Sequence, residues 1–272
     1  MKSIYFGDHT WVELEERIKN ENPLVILPVG MFEEHGRHCA VALDTELTWN
    51  FCEEAAMQIQ DDVPVMLLPP VWTGYHGKIM AQWPGSIRLE QETLYKVVYD
   101  ICASLIRQGF HKIAIVNGHG QNPAILELVV RKIIDDFDVM PLYSMPLFMI
   151  GQEGAHIRTS AQGGMGGHAD ELETSLLLNL KPQLVNMDQA VDDTCPYHSK
   201  FVGGDTYPSQ KVIKGSYWSS WEVQKTNAGA LGNPLEATAE KGAAFKKLIM
   251  TNFIEMLKEY YVFQPVHNVK EN

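Results

Sequence analysis

The segment Leu24-Val25-Ile26-Leu27-Pro28-Val29-Gly30, running into Glu33-Glu34-His35-Gly36-Arg37-His38, decides how the chain folds. Four consecutive apolar residues closed by Pro and Gly are too short for a core helix. They lack the alternation of a half-exposed strand, and read instead as a strand buried on both faces, as in a parallel sheet. Val65-Met66-Leu67-Leu68 and Ile113-Ala114-Ile115-Val116 repeat the pattern. Between these runs apolar residues recur every three or four positions, over 46–59 and over 90–108, where Leu94, Val97, Val98, Ile101, Leu105 and Ile106 form one stripe. A further helix fits 123–136, with Pro123 suited to its first turn. Residues 139–145 read as a fourth strand, and 169–180 and 236–260 as two more helices. Alternating β and α elements predict an α/β fold of three layers, α/β/α, around a mostly parallel central sheet.

The whole chain, 1–272, reads as one domain near the upper size for a single core. Its exception is 187–233, rich in Gly, Pro, Ser, Tyr and Trp and without periodicity, which reads as an irregular loop region. Trp218 and Trp221 within it are candidates for closing a pocket or burying a subunit contact. Twenty-two basic residues against 34 acidic give a formal charge of −12, so a nucleic-acid partner would meet a repulsive field. No apolar run approaches the ~20 residues of a spanning helix, and the first residues lack a signal-peptide pattern, so no membrane role and a cytoplasmic location are expected. Cys39, Cys52, Cys102 and Cys195 form no CxxC pair and read as reduced thiols.

The chemistry collects just past the predicted strand ends, where open α/β sheets form their crevices. Glu33 to His38 and then Asp44 follow the first strand, and Asn117-Gly118-His119-Gly120-Gln121-Asn122 follows the third. His168-Ala169-Asp170-Glu171-Leu172-Glu173-Thr174-Ser175 comes later. Any one of these is weak evidence, since a His beside Gly is usually structural and an Asp or Glu after a strand usually caps a helix. Three clusters of imidazole and carboxylate together suit an ion of the zinc or manganese class. In extended backbone Glu33 and His35 point the same way, and a carboxylate such as Asp44 has two oxygens with which to bridge two ions. A non-catalytic small-molecule binder is the competing class. Gly163-Gly164-Met165-Gly166-Gly167 is its phosphate-loop candidate, but follows no convincing strand and lacks GxGxxG spacing.

These residues resemble the creatininase (creatinine amidohydrolase) family of dinuclear-metal hydrolases. E-x-H-G-x-H falls on Glu33 to His38 and the downstream Asp on Asp44; F-P-G-T appears as Trp83-Pro84-Gly85-Ser86. N-G-H-G-x-N matches Asn117 to Asn122, H-A-G-E-x-E-T-S matches His168 to Ser175, and a late Gly-rich pattern matches 229–242. The resemblance implies two divalent ions, zinc first and manganese or iron next. Glu33, Asp44 and His119 would hold one, and His35, Asp44 and a second acid the other. In creatininase that acid lies two residues after the NGH histidine, where this chain has the neutral Gln121; Glu171 is the expected replacement.

With two ions the implied reaction is attack on a carbonyl by a water activated between them. His168 is the candidate for proton transfer, with a ligand-orienting role as its alternative. Arg37, His38, His76, Lys78, Gln82 and Gln121 are candidate substrate contacts. Gly120, Gly164 and Gly167 stand where creatininase carries a substrate-contacting Tyr, a Trp and a Glu, so creatinine is not the expected substrate. Glu34, Arg37, Asp170 and Met80 depart from the usual Gln, Pro, Gly and His. Family precedent offers C–N cleavage in cyclic amides or formamides, and C–C ring opening of an oxidised inositol of the 3-dehydro-scyllo-inosose type. The reading leans to the latter. The resemblance also implies a homo-oligomer, typically a hexamer.

Overall fold

A computed structural model describes residues 3–160, 167–194 and 226–264. Four parallel strands lie in the order β2-β1-β3-β4: β1 (Leu24–Val29), β2 (Val65–Leu67), β3 (Lys112–Asn117) and β4 (Leu142–Ser144). β1 and β3 pair along six residues, from Leu24 opposite Lys112 to Val29 opposite Asn117, so their carboxyl ends finish level. Every residue of β1 is buried, as the unbroken apolar run requires. Alternate side chains divide between two cores. Leu24, Ile26, Val65, Leu67, Ala114 and Val116 pack on α2 (Leu43–Ile59), α5 (Glu171–Leu180) and α6 (Ala239–Val262). Val25, Leu27, Met66, Ile113 and Ile115 pack on α3 (Gln91–Gln108) and α4 (Pro123–Phe137), with α1 (Trp11–Glu21) at the margin of that core.

The expected three-layer α/β/α architecture with a parallel sheet is therefore present, with helix limits within a few residues of those read from periodicity. The fourth strand is shorter than 139–145, ending up as three residues. It is an edge strand paired only with β3, and two of its three residues are only partly buried, so little of the run is needed for the ladder. Within 187–233, residues 187–194 and 226–233 are described, with one short 3-10 turn and isolated bridges such as Asp193 to Gly232. Trp218, Trp221, Cys195 and Gly163 to Gly166 lie outside the described residues. Among the described residues no helix is long and apolar enough to cross a membrane.

Candidate metal centre

Three chain segments converge where β1 and β3 end. The loop after β1 carries Glu33, Glu34 and His35, all buried. Asp44 occupies the first turn of α2, where the positive end of the helix dipole favours a carboxylate. His119 follows β3 by two residues and sits against α2 because Gly118 lets the chain approach it. A Cβ on Gly118 would lie 1.6 Å from Thr48 Oγ1 and 2.9 Å from the Asp44 carbonyl oxygen. Asn117 shapes the turn: its Oδ1 accepts from His119 N and its Nδ2 donates to His119 O.

Asp44 spans the two imidazoles. Its Oδ2 is 2.8 Å from His119 Nδ1, and its Oδ1 is 3.3 Å from His35 Nε2. Glu33 Oε1 lies 3.1 Å from the same His119 nitrogen, and Glu173 Oε2 lies 3.8 Å from His35 Nε2. The remaining ring nitrogens are committed to carbonyls and must donate, His119 Nε2 to Tyr75 O and His35 Nδ1 to Glu33 O. Such bonds fix each ring with its other nitrogen turned inward, the orientation a ligating histidine needs. Potential ligand atoms fall within 4.8 Å of one another in three sets: Glu33, Asp44 and His119; His35, Asp44 and Glu173; and Glu33, His35 and His168. Both Glu33 carboxylate oxygens and His35 Nε2 are buried without a hydrogen-bond partner among the described residues. Buried polar atoms left unpaired are costly, and a divalent cation would satisfy all of them together. The donor set fits such an ion.

The electrostatics point the same way. Burial opposes charge on His35 and His119, but Asp44, Glu33 and Glu173 around them outweigh it and push both up to about 10. Burial would raise Asp44, yet His35 and His119 hold it well below the usual carboxylate range. Glu173 goes well above that range through burial, with Asp44 and Asp170 adding to the effect. Protons thus neutralise a concentration of carboxylates that cations would otherwise balance.

Glu171, expected as the second acid, is not in the cluster. Its carboxylate accepts from Thr159 N at 3.0 Å and Ser160 N at 2.7 Å, and pairs with Lys241 from α6. Burial opposes its ionisation, but Lys241 and the Ser160 and Thr159 bonds prevail and lower it. Glu173 is the α5 acid that lies in the cluster instead. At ~100° per residue, positions two apart project from nearly opposite sides of a helix, so only one of the two can reach His35. Asp170 fixes which one by capping α5 through Leu172 N and Glu173 N, and Glu173 Oε2 reaches back to Ala169 N at 2.7 Å.

His168 lies beside the cluster. Its Nε2 donates to Glu34 O at 2.7 Å, and its Nδ1 faces Glu33 Oε1 at 3.5 Å. Burial, reinforced by the charge on His35, lowers it to about 4, so the ring is neutral near pH 7 with the Nδ1 lone pair turned inward. Of the expected substrate contacts, His76 and Gln121 are held beside this centre by Gly77, and Gln121 Oε1 accepts from Gly77 N at 2.7 Å. His38 is buried away from solvent with Nε2 2.9 Å from Thr174 Oγ1, which ties the first loop to α5. Arg37, Lys78 and Gln82 are exposed, the last two on a 3-10 turn spanning Lys78–Gln82. Glu34, noted in the sequence only as a departure from Gln, is also buried, and burial pushes its carboxyl up to about 8.

Buried carboxylates and imidazoles with unpaired ligand atoms, gathered at the ends of parallel strands, define a metal-binding α/β enzyme. The chain belongs to the creatininase family, described as creatinine amidohydrolase, whose pattern matches residues 7–257. It is accordingly a metal-dependent hydrolase. It is 27% identical to the creatinine amidohydrolase of Pseudomonas putida over 96% of this chain and 98% of that protein. It is 30% identical to the 3-dehydro-scyllo-inosose hydrolase of Thermotoga maritima over 70% of this chain and 60% of that protein. A solved manganese form of creatininase superimposes with a TM-score of 0.75 at 24% identity, covering 96% of this chain and all of that one.

Proposed function

We propose that the chain holds two divalent ions, one on Glu33, Asp44 and His119 and the other on His35, Asp44 and Glu173, and hydrolyses a small cyclic substrate at a ring carbonyl. The observation that carries this reading is Asp44, whose two oxygens face the inward nitrogens of two different histidines. A pair of such ions supplies Lewis acidity at the carbonyl and lowers the pKa of water. The substrate we favour is an oxidised inositol carrying two carbonyls on one ring. Water adds to one carbonyl, the bond from that carbon to the ring carbon lying between the two carbonyls breaks, and the new carboxyl group keeps the water oxygen. The electron pair of the broken bond passes into the second carbonyl as an enolate, which then takes a proton. His168 Nδ1, neutral and directed at Glu33, is placed to accept a proton from water and return it there. The Thermotoga relative supports this substrate class, and the exposed Gly120, with no atom within 4 Å of a Cβ built there, offers no side chain where creatininase has its Tyr, which argues against creatinine.

The test is metal analysis followed by a screen of zinc- and manganese-loaded protein against oxidised inositols, cyclic amides including creatinine, and formamides. Two ions per chain and turnover of a diketo-inositol are expected, with creatinine near background. Turnover restricted to cyclic amides would overturn the C–C assignment while leaving the metal centre standing. No metal, and no activity after metal is restored, would overturn the whole reading.

A further inference from the structure

Two buried polar atoms beside the centre have no partner among the described residues and no role as ligands: Nε2 of His76 and Nε2 of Gln121. A single residue, Gly77, fixes the character of both. His76 Nδ1 lies 2.9 Å from Gly77 O, an acceptor, so Nδ1 carries the proton and Nε2 of the neutral ring is left with a lone pair. Burial lowers the affinity of His76 for a second proton, which agrees with the neutral form. Gln121 Oε1 accepts from Gly77 N at 2.7 Å, so the free atom of this amide is its NH₂ group, a donor. The 75–77 segment is pinned to the turn after β3, since Tyr75 N donates to Asn122 Oδ1 at 3.0 Å and Tyr75 O receives His119 Nε2. His76 is fully buried and feels the charges of Glu33 and His119.

We propose that His76 Nε2 and Gln121 Nε2 form an acceptor–donor pair that recognises a hydroxyl group of the substrate beside the position held by Glu33, Asp44 and His119. A hydroxyl can satisfy both atoms at once, donating its hydrogen to the imidazole and accepting from the amide. An ether or a methylene cannot. The inference rests on the polyhydroxylated substrate proposed above and identifies residues that select it. A site built to bond a hydroxyl also discriminates strongly against analogues lacking it, because its own buried groups are then left unpaired.

A mono-ketone inosose has no second carbonyl to receive the electrons of the broken C–C bond, so it serves as a ligand that cannot be cleaved. Its affinity for the metal-loaded full chain is measured by calorimetry, alongside a set of deoxy-inososes each lacking one hydroxyl and a hydroxyl-free lactam, 2-pyrrolidinone. Gln121→Met should weaken inosose binding about 10- to 100-fold while leaving two ions per chain and lactam affinity unchanged. One deoxy-inosose should bind wild type as weakly as inosose binds Gln121→Met, and should lose nothing further in that variant. His76→Gln, which keeps an acceptor close to the position of Nε2, should retain more affinity than His76→Phe. Uniform weakening of every ligand in Gln121→Met would assign Gln121 a merely structural hold on Gly77 and overturn the proposal. Inosose binding with no coupling between any hydroxyl and Gln121 would overturn it as well. Tight lactam binding with no inosose binding would instead refute the substrate reading on which it rests.

Discussion

Replacing Glu173 by Gln and, separately, Glu171 by Gln should produce opposite phenotypes. Glu173 is fully enclosed, and burial keeps its carboxyl protonated well above the ordinary range in the metal-free chain. Gln is close in shape, neutral, and can still accept from Ala169 N. Stability of the chelated protein should therefore stay within about 1 kcal/mol of wild type. Metal binding should suffer, because the His35–Asp44 position loses its third ligand. Disturbing groups that merely orient a ligand already costs about 10–100-fold in affinity, so loss of a direct carboxylate should cost at least about 100-fold, or about 2.8 kcal/mol. Glu171 is the converse. It is ionised and joined to Lys241, whose side chain is 20% exposed. Lys241 keeps other acceptors in Thr159 Oγ1 and Glu236 O, so the amide variant should lose about 1–3 kcal/mol of stability and no metal. Metal per chain after gel filtration at buffered free zinc, together with urea unfolding of the chelated proteins, reads both effects. One ion in Glu173→Gln and two in a destabilised Glu171→Gln is the expected pattern. Two ions in Glu173→Gln with one in Glu171→Gln would refute the ligand set.

Asp44→Ala should empty both positions and reduce turnover by orders of magnitude while the far-ultraviolet circular dichroism persists; two bound ions in the purified variant would contradict its bridging role. Stability of the chelated protein should fall between pH 7 and 9. His35 and His119 are raised to about 10, so the stability they confer is complete below their unfolded value near 6.5 and drains away as pH climbs towards 10. Glu34, raised to about 8, pulls in the same direction up to that pH. Added zinc, which replaces those protons, should stabilise more at pH 8.5 than at 6.5, and melting curves with and without chelator would show a chelated protein gaining stability with pH if this is wrong. Gly118→Ala should cost upwards of about 3 kcal/mol, since its methyl group meets Thr48 Oγ1 and the backbone of α2, and Thr48→Ala should restore part of the loss in a double variant.

The parts of this molecule legible in the sequence were those governed by short-range patterns. Residues 24–29 are buried on both faces, as their unbroken apolar run closed by Gly30 indicates, and the apolar stretch 113–116 of β3 is buried likewise. Once these two strands were parallel neighbours, Glu33, His35 and His119 had to emerge at the same edge of the sheet. Asp44 could be read because a carboxylate in the first turn of a helix near that edge faces the same crevice. The choice between Glu171 and Glu173 could not be read from amphipathicity, because every residue from Glu171 to Leu177 is buried and the helix has no polar face to orient it. What orients α5 is distant in sequence: Lys241 and the 159–160 backbone on one side, His35 on the other. One local signal was available. Asp170 replaces the family's Gly and is a strong N-cap, which makes Glu173 the third residue of the helix, the position whose side chain turns back towards the preceding loop.

The acid on α5 and the amide on the β3 turn are two consequences of one exchange. In creatininase the position two residues after the NGH histidine supplies an acid to the metal, whereas here Gln121 occupies it and directs its oxygen to Gly77 N. In the two-ion site proposed above, a neutral amide there would leave the His35–Asp44 pair one anionic ligand short, and Glu173, 3.8 Å from His35 Nε2, is the acid that would make up the deficit. Gln121 Nε2 is buried without a hydrogen-bond partner among the described residues, so its NH₂ group can take another partner, and no atom lies within 4 Å of a Cβ built on the neighbouring Gly120. On the proposed ligand set, a carboxylate on α5 would preserve the charge needed for two cations while leaving the β3 side of the pocket to hydrogen bonding. Restoring the acid at position 121 alone would set a second carboxylate in competition with Glu173 for one ion. Gln121→Glu should therefore keep two ions per chain but weaken a hydroxylated ligand, and only the double change with Glu173→Gln should make metal retention depend on residue 121. Loss of an ion in the double variant as complete as in Glu173→Gln would show that the two positions cannot exchange the role.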